Sequence, residues 1–164
     1  MTDSDPADPC VYDLTTQDIT MVEASWNALD CDNDGLNNGE EITGIDDPTT
    51  TSTPNGNITD PNDPDTDGDG VNDGQEGVDM TDPNDSCSYN VANQDITTVD
   101  SIWNDTDCDG DGVSNGDEIA AGTDPADPCD FNVADITLVQ SGDYLAADCD
   151  GCLLYTSPSP RDRG

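Results

Sequence analysis

Three twelve-residue stretches set aspartate at alternate positions and close on glutamate. They run Asp30-x-Asp32-x-Asp34-Gly-Leu-Asn-Asn38-Gly-Glu-Glu41, Asp65-x-Asp67-x-Asp69-Gly-Val-Asn-Asp73-Gly-Gln-Glu76 and Asp107-x-Asp109-x-Asp111-Gly-Val-Ser-Asn115-Gly-Asp-Glu118. A hard divalent cation such as Ca²⁺ takes six to eight oxygens at roughly 2.3–2.6 Å. In a curled loop, positions 1, 3 and 5 point to one centre, which fits aspartate at each. Glycine at position 6 (Gly35, Gly70, Gly112) permits the sharp bend. Position 7 offers only its backbone carbonyl, so Leu36, Val71 and Val113 are free to be apolar. Position 9 (Asn38, Asp73, Asn115) is a further candidate ligand, and the glutamate at position 12 can bind through both oxygens. Mg²⁺ fits worse, because it demands a tight octahedron and gives up water reluctantly. The pattern thus implies Ca²⁺ as the bound cofactor. A fourth loop begins at Asp148-Cys-Asp150-Gly151 and has cysteine at position 5, Cys152, where a ligand belongs.

The elements around these loops must be short. Pro64 abuts the start of the second loop, and cysteine fills position 2 of the first and third. After each glutamate there is room for one helical turn, which Gly44 and Gly122 are suited to cap. Asp-Pro follows at constant spacing, at Asp47-Pro48, Asp82-Pro83 and Asp124-Pro125, and stops any longer helix. Those aspartates either complete neighbouring coordination shells or form turns.

Cysteine-bounded segments accompany the loops. Cys10 to Cys31, Cys87 to Cys108 and Cys129 to Cys149 are 21, 21 and 20 residues apart. Each has an aromatic near either end (Tyr12 and Trp26, Tyr89 and Trp103, Phe131 and Tyr144) and a central Asp-Ile-Thr-x-Val at Asp18–Val22, Asp95–Val99 and Asp135–Val139. These few apolar groups read as a small core that needs a covalent staple. The β-branched composition predicts short extended segments rather than helices. Near-constant spacing predicts pairing within each segment. The rival scheme joins Cys31 to Cys87 and Cys108 to Cys129. The predicted fold is therefore a small irregular repeat protein: calcium-wrapped loops, short disulfide-bounded β segments and little regular secondary structure.

The runs Asp65 to Glu76 and Glu118-Ile-Ala-Ala-Gly-Thr-Asp-Pro125 resemble the bacterial form of thrombospondin type 3 repeats, which occur in long surface proteins and adhesins. The resemblance covers the three loops and their Asp-Pro tails. It implies a calcium-wrapped stalk, and it says less about the cysteine-bounded segments.

Composition narrows the function. The 164 residues carry a net charge of -37, with two basic residues and no histidine. Such a chain cannot offset its ordering entropy by apolar burial alone, so bound cations and disulfides must supply order. Nucleic acid is excluded as a partner by the lack of Lys and Arg, and no apolar run of about 20 residues could enter a membrane. No nucleophile–base pair can be assembled, so an enzyme is not expected. The expected role is a calcium-binding structural spacer within a larger secreted or cell-surface polypeptide, one end of which would reach an adhesive target that the chain itself does not specify. The alternative is a dockerin-like protein- or glycan-binding module stabilised by calcium, although the partner-facing helices of dockerins find no counterpart.

The chain divides into residues 1–9, matching the end of a repeat; 10–48, a cysteine-bounded segment with loop 1; and 49–59, a Thr-rich linker. Loop 2 follows at 60–86, a second cysteine segment with loop 3 at 87–128, and a truncated repeat at 129–151. Residues 152–164 lack the Asp/Asn/Gly bias, and Cys152 to Asp162 resembles the in-frame translation of a transposon-type sequencing adapter. This tail, which holds both arginines, is expected to play no part in the fold.

Overall fold

Among the described residues six short α-helices punctuate otherwise irregular structure, and each calcium-type loop feeds directly into one of them. The computed structural model describes residues 9–10, 24–147 and 149. The tail from Cys152, the Asp18–Val22 motif, Tyr12 and the truncated fourth loop's Asp148 and Asp150 lie outside the described residues. The chain forms two units, residues 1–100 and 101–164.

In the first unit, α1 (Ala24–Asn27) packs against α2 (Asn38–Thr43), and α3 (Asp73–Asp79) follows loop 2. In the second, α4 (Ser101–Asp105) packs against α5 (Asn115–Ala121), followed by a 3₁₀ turn at Val133–Asp135 and α6 (Gly142–Ala146). Local chemistry sets these boundaries. Loop position 8 is the N-cap of each post-loop helix: Asn37, Asn72 and Ser114 accept the amides of Glu40, Gln75 and Asp117. Glu40 returns the contact to Asn37, completing a capping box. Left-handed residues end the helices: Gly44 and Gly122, as expected, and Met80 at φ 64°.

No β-strand occurs among the described residues, so the extended segments expected between cysteines do not pair into sheet. They contain α1, α4 and α6 instead, with Trp26, Trp103 and Tyr144 on them. Two isolated extended stretches of a few residues lack partners for a ladder, and a single helical turn satisfies its own backbone. In the two described copies of the central motif no Ile or Val is fully buried. Ile96 is half exposed and Val139 almost fully so, while Val99 and Ile136 are half-buried. Among the described residues the core consists of Trp26, Trp103 and the three position-7 residues Leu36, Val71 and Val113, the last four within 1% of full burial.

The central motif has another task. In the first unit, the Asp95 and Asp100 amides donate to the carbonyls of Gly70 and Gly68 at 2.8 and 2.9 Å. In the second, Thr137 and Leu138 donate to Gly112, and Ser141 to Gly110. Each segment lies against the loop that precedes it, across its two glycines. A Cβ at Gly70 would meet the Asp95 carbonyl oxygen at 2.7 Å.

Cys10–Cys31 and Cys129–Cys149 are disulfides, and Cys87 and Cys108 are also disulfide-bonded. The rival scheme is excluded, since Cys31 and Cys129 are already paired. The Asp-Pro aspartates are turn formers. Asp47, Asp60, Asp82 and Asp124 each accept the amide three residues on at their carbonyl and the amide two residues on at their carboxylate.

Candidate metal centres

At positions 3 and 5 of each loop the aspartate carboxylates divide their oxygens between two tasks. One oxygen holds the loop's own backbone. Asp69 Oδ1 accepts the Val71 amide at 2.8 Å, Asp111 Oδ1 the Val113 amide at 2.8 Å and Asp34 Oδ1 the Leu36 amide at 2.7 Å. At position 3, Asp32, Asp67 and Asp109 accept the amide two residues on. At position 1, Asp65 bonds the amides of Gly68 and Gly70, and Asp107 those of Gly110 and Gly112. Asp30 accepts from Asn33 at 2.6 Å. These internal bonds curl the chain so that the three carboxylates converge.

Apart from Asp34 Oδ2, the other oxygens at positions 3 and 5 have no hydrogen-bond partner within the protein. Asp32 Oδ2, Asp67 Oδ2, Asp69 Oδ2, Asp109 Oδ2 and Asp111 Oδ2 are buried without a hydrogen-bond partner. So are Glu41 Oε2 and both carboxylate oxygens of Glu76 and Glu118. Native proteins rarely leave buried charged acceptors unpaired, because each costs on the order of 1–3 kcal/mol or more. Here they sit at positions 3, 5 and 12 of every loop, save Asp34. Carboxylate oxygens of Asp30, Asp32 and Asp34, of Asp65, Asp67 and Asp69, and of Asp107, Asp109 and Asp111 lie within 4.8 Å of one another. Two oxygens each about 2.4 Å from one ion can be no farther apart than that.

Electrostatics points the same way. Burial first, then neighbouring carboxylates, pushes Glu41 and Glu76 up to about 9 and Glu118 up to about 8. Asp67 rises to about 7 for the same reasons in the same order, and Asp32 to about 6. Asp69 also rises to about 7 and Asp109 to about 6, burial leading in both. Burial raises Asp34, Asp65 and Asp111 as well. By contrast the exposed turn former Asp47 is lowered by the amide and hydroxyl of Thr49. The loops concentrate like charge out of water with no basic side chain among the described residues, and a bound cation resolves that conflict. The residues present fit a hard, oxygen-seeking divalent ion: the ligand set is entirely oxygen and contains neither thiolate nor imidazole.

Position 9 is engaged elsewhere. Asn38 accepts the Cys31 amide and donates to the Trp26 carbonyl at 3.1 Å, and Asn115 does the same with Cys108 and Trp103 at 3.0 Å. Asp73 accepts both the amide and the hydroxyl of Thr66. Its buried carboxyl is pushed up to about 7, principally by that burial. Asn38, Asp73 and Asn115, expected as ligands, form a brace between positions 9 and 2 in this structure. The side chains at position 7 serve as core. Sequence reading missed the brace, although Cys–Asn in two loops against Thr–Asp in the other was the available signal.

Residues 30–44, 65–86 and 107–128 match the family model of the bacterial TSP3 repeat. Each match begins at loop position 1. The second and third run on through the post-loop helix into the Asp-Pro turns, while the first stops at Gly44, short of the Asp47-Pro48 turn. No significant match is found among the curated proteins or the solved structures. These three stretches are bacterial TSP3 repeats.

Proposed function

We propose that the three bacterial TSP3 repeats bind one Ca²⁺ each and make this chain a calcium-rigidified, non-catalytic spacer of a larger secreted or cell-surface protein. The observation that carries this reading is the set of buried, unpaired carboxylate oxygens recurring at positions 3, 5 and 12. Asp at positions 1, 3 and 5, the carbonyls of Leu36, Val71 and Val113, and bidentate Glu41, Glu76 and Glu118 give about six oxygens per ion. Water can fill any remaining position.

Disulfide bonds on a chain of this composition favour an oxidising, extracellular setting. Three divalent ions cancel only a small part of the -37 charge, and self-repulsion favours an extended chain between local calcium knots. Extracellular calcium modules work near 10⁻⁴–10⁻³ M, a range in which external calcium keeps such a spacer filled. The carboxylates are occupied by loop geometry, and histidine is absent from the sequence, which supports a structural rather than a catalytic role.

Small-angle scattering with millimolar calcium and then with excess chelator tests this. Chelation is expected to raise the radius of gyration and to lower and flatten the thermal transition. Identical scattering and melting in both conditions would rule the reading out.

A further inference from the structure

Loops 1 and 2 are tied together through a ligand. Asp34, at position 5 of loop 1, accepts the Leu36 amide on Oδ1 and the Gly74 amide on Oδ2 at 2.8 Å. Gly74 belongs to α3, two residues before Glu76, the position-12 ligand of loop 2. The corresponding Asp69 Oδ2 and Asp111 Oδ2 are buried without any partner. The contact spans forty residues and is buried. It admits no side chain at 74, because a Cβ there would collide with the Asp34 carbonyl oxygen.

Other bonds reinforce the tie. The Thr59 amide donates to the Glu41 carbonyl at 3.1 Å, and the Thr59 hydroxyl lies 3.4 Å from Glu41 Oε1. The Asn55 side chain donates to the Gly77 carbonyl of α3, and a Cβ at Gly77 would collide with the Thr53 carbonyl oxygen. Both the position-5 and the position-12 ligand of loop 1 are thus touched by the chain that builds loop 2.

We propose that sites 1 and 2 fill as a coupled pair, with the Asp34–Gly74 contact as the coupling element. This rests on the calcium reading above. An ion held by Glu76 fixes α3, and α3 presents the Gly74 amide, which orients the Asp34 carboxylate before site 1 fills. An ion at site 1 fixes Asp34 and so anchors the start of α3. Whichever ion binds second meets a partly ordered site and forfeits less conformational entropy. The coupling must be reciprocal.

Trp26 reports site 1, since Asn38 bonds its carbonyl across the base of loop 1. In full-length protein carrying Trp103→Phe, Trp26 is the sole tryptophan, and its emission can be followed against calcium. Adding Glu76→Gln, which removes a ligand of site 2, is expected to raise the Trp26 midpoint about 5- to 10-fold, a typical coupling between sites. With Gly74→Ala present, the same Glu76→Gln change is expected to move the midpoint less than about twofold. Where Gly74→Ala prevents folding, the reciprocal measurement decides. Glu41→Gln must weaken site 2, read by calorimetry, by the same factor that Glu76→Gln weakens site 1. A Trp26 curve indifferent to Glu76→Gln, or unequal reciprocal factors, overturns the coupling and leaves calcium binding standing. A Trp26 signal with no calcium response in the Trp103→Phe background strikes the calcium reading itself.

Discussion

Loops 1 and 3 hold their carboxylates with one scaffold and loop 2 with another. In loops 1 and 3 the cysteine at position 2 is disulfide-bonded, and the position-9 asparagine donates to a buried tryptophan carbonyl. Loop 2 has neither cysteine nor tryptophan. Thr66 stands at position 2 and Asp73 at position 9, and the two bond through both the amide and the hydroxyl of the threonine. The convergence of Asp65, Asp67 and Asp69 is nevertheless the same as in the other two loops. What the site requires is a hydrogen bond from position 2 to position 9 across the mouth of the loop. A donor–acceptor asparagine meets that need where a carbonyl must be reached, and an acceptor-only aspartate does so where a hydroxyl is on offer.

Reduction should separate the two scaffolds most sharply. Closing a loop of about 20 residues stabilises by roughly 3 kcal/mol in the chain-entropy account. Calorimetry after disulfide reduction is expected to lose the tight phase of sites 1 and 3, while site 2 keeps its ion at several-fold lower affinity through its tie to loop 1. Equal loss at all three sites would break the distinction.

Exchanging the braces gives a smaller effect. Asn115→Asp removes the donor to the buried Trp103 carbonyl and is expected to cost about 1–3 kcal/mol, seen as a lower midpoint in urea and a weakened near-ultraviolet signal from Trp103. Asp73→Asn keeps an acceptor for the Thr66 amide and is expected to cost less than half as much. Equal costs would mean that position 9 acts only through its size.

Protons offer a third comparison, between the metal-free and calcium-bound forms. Glu41, Glu76 and Glu118 have pKa values raised, chiefly by burial, to about 9, 9 and 8 in the metal-free fold. A raised folded pKa means that the metal-free fold binds protons more tightly than the unfolded chain does. That stability is present below the ordinary carboxylate range and is lost as pH climbs toward 9. Calcium needs the ionised forms, so its affinity should rise across the same window. Melting temperatures from pH 5 to 9 are expected to fall in calcium-free protein and to hold or rise in millimolar calcium. Parallel profiles would contradict the electrostatic account.

The smallest effect concerns the helix ends. Met80 caps α3 in the left-handed region at φ 64° and is 87% exposed, where α2 and α5 use glycine. Met80→Gly should stabilise loop 2 by about 1 kcal/mol, read as a raised melting temperature of the calcium-loaded protein. No gain would mean that the methionine side chain compensates for its own strain.

Much of the site was legible because ligand spacing is a local property. Alternate aspartates, a bend glycine and a terminal glutamate are fixed by the reach of one curled loop, as Asp65 to Glu76 illustrates. The cap at Met80 was not legible: Gly44 lies three residues past Glu41 and Gly122 four past Glu118, so spacing fixes no single cap position, and methionine gives no signal for a left-handed turn. The partner of each Asp-Ile-Thr-x-Val segment was not legible. Ile96 and Val139 look like core in composition, whereas their segments are held by backbone bonds to glycine carbonyls in the preceding loop. Helices α1 and α4 escaped notice because their four or five residues carry no period, and only docking against α2 and α5 makes them helical. The Asp34–Gly74 bond joins residues forty apart and has no sequence signature at all.

Counting the bound ions tests the central claim most directly. Native mass spectrometry of the full chain titrated with calcium is expected to show three ions at saturation. Glu76→Gln or Glu118→Gln should each remove one ion at calcium concentrations that fill the other sites. A saturated count that ignores both substitutions, or a chain that takes up no ion while keeping its fold, would contradict the assignment of these loops as the metal centres that organise the protein.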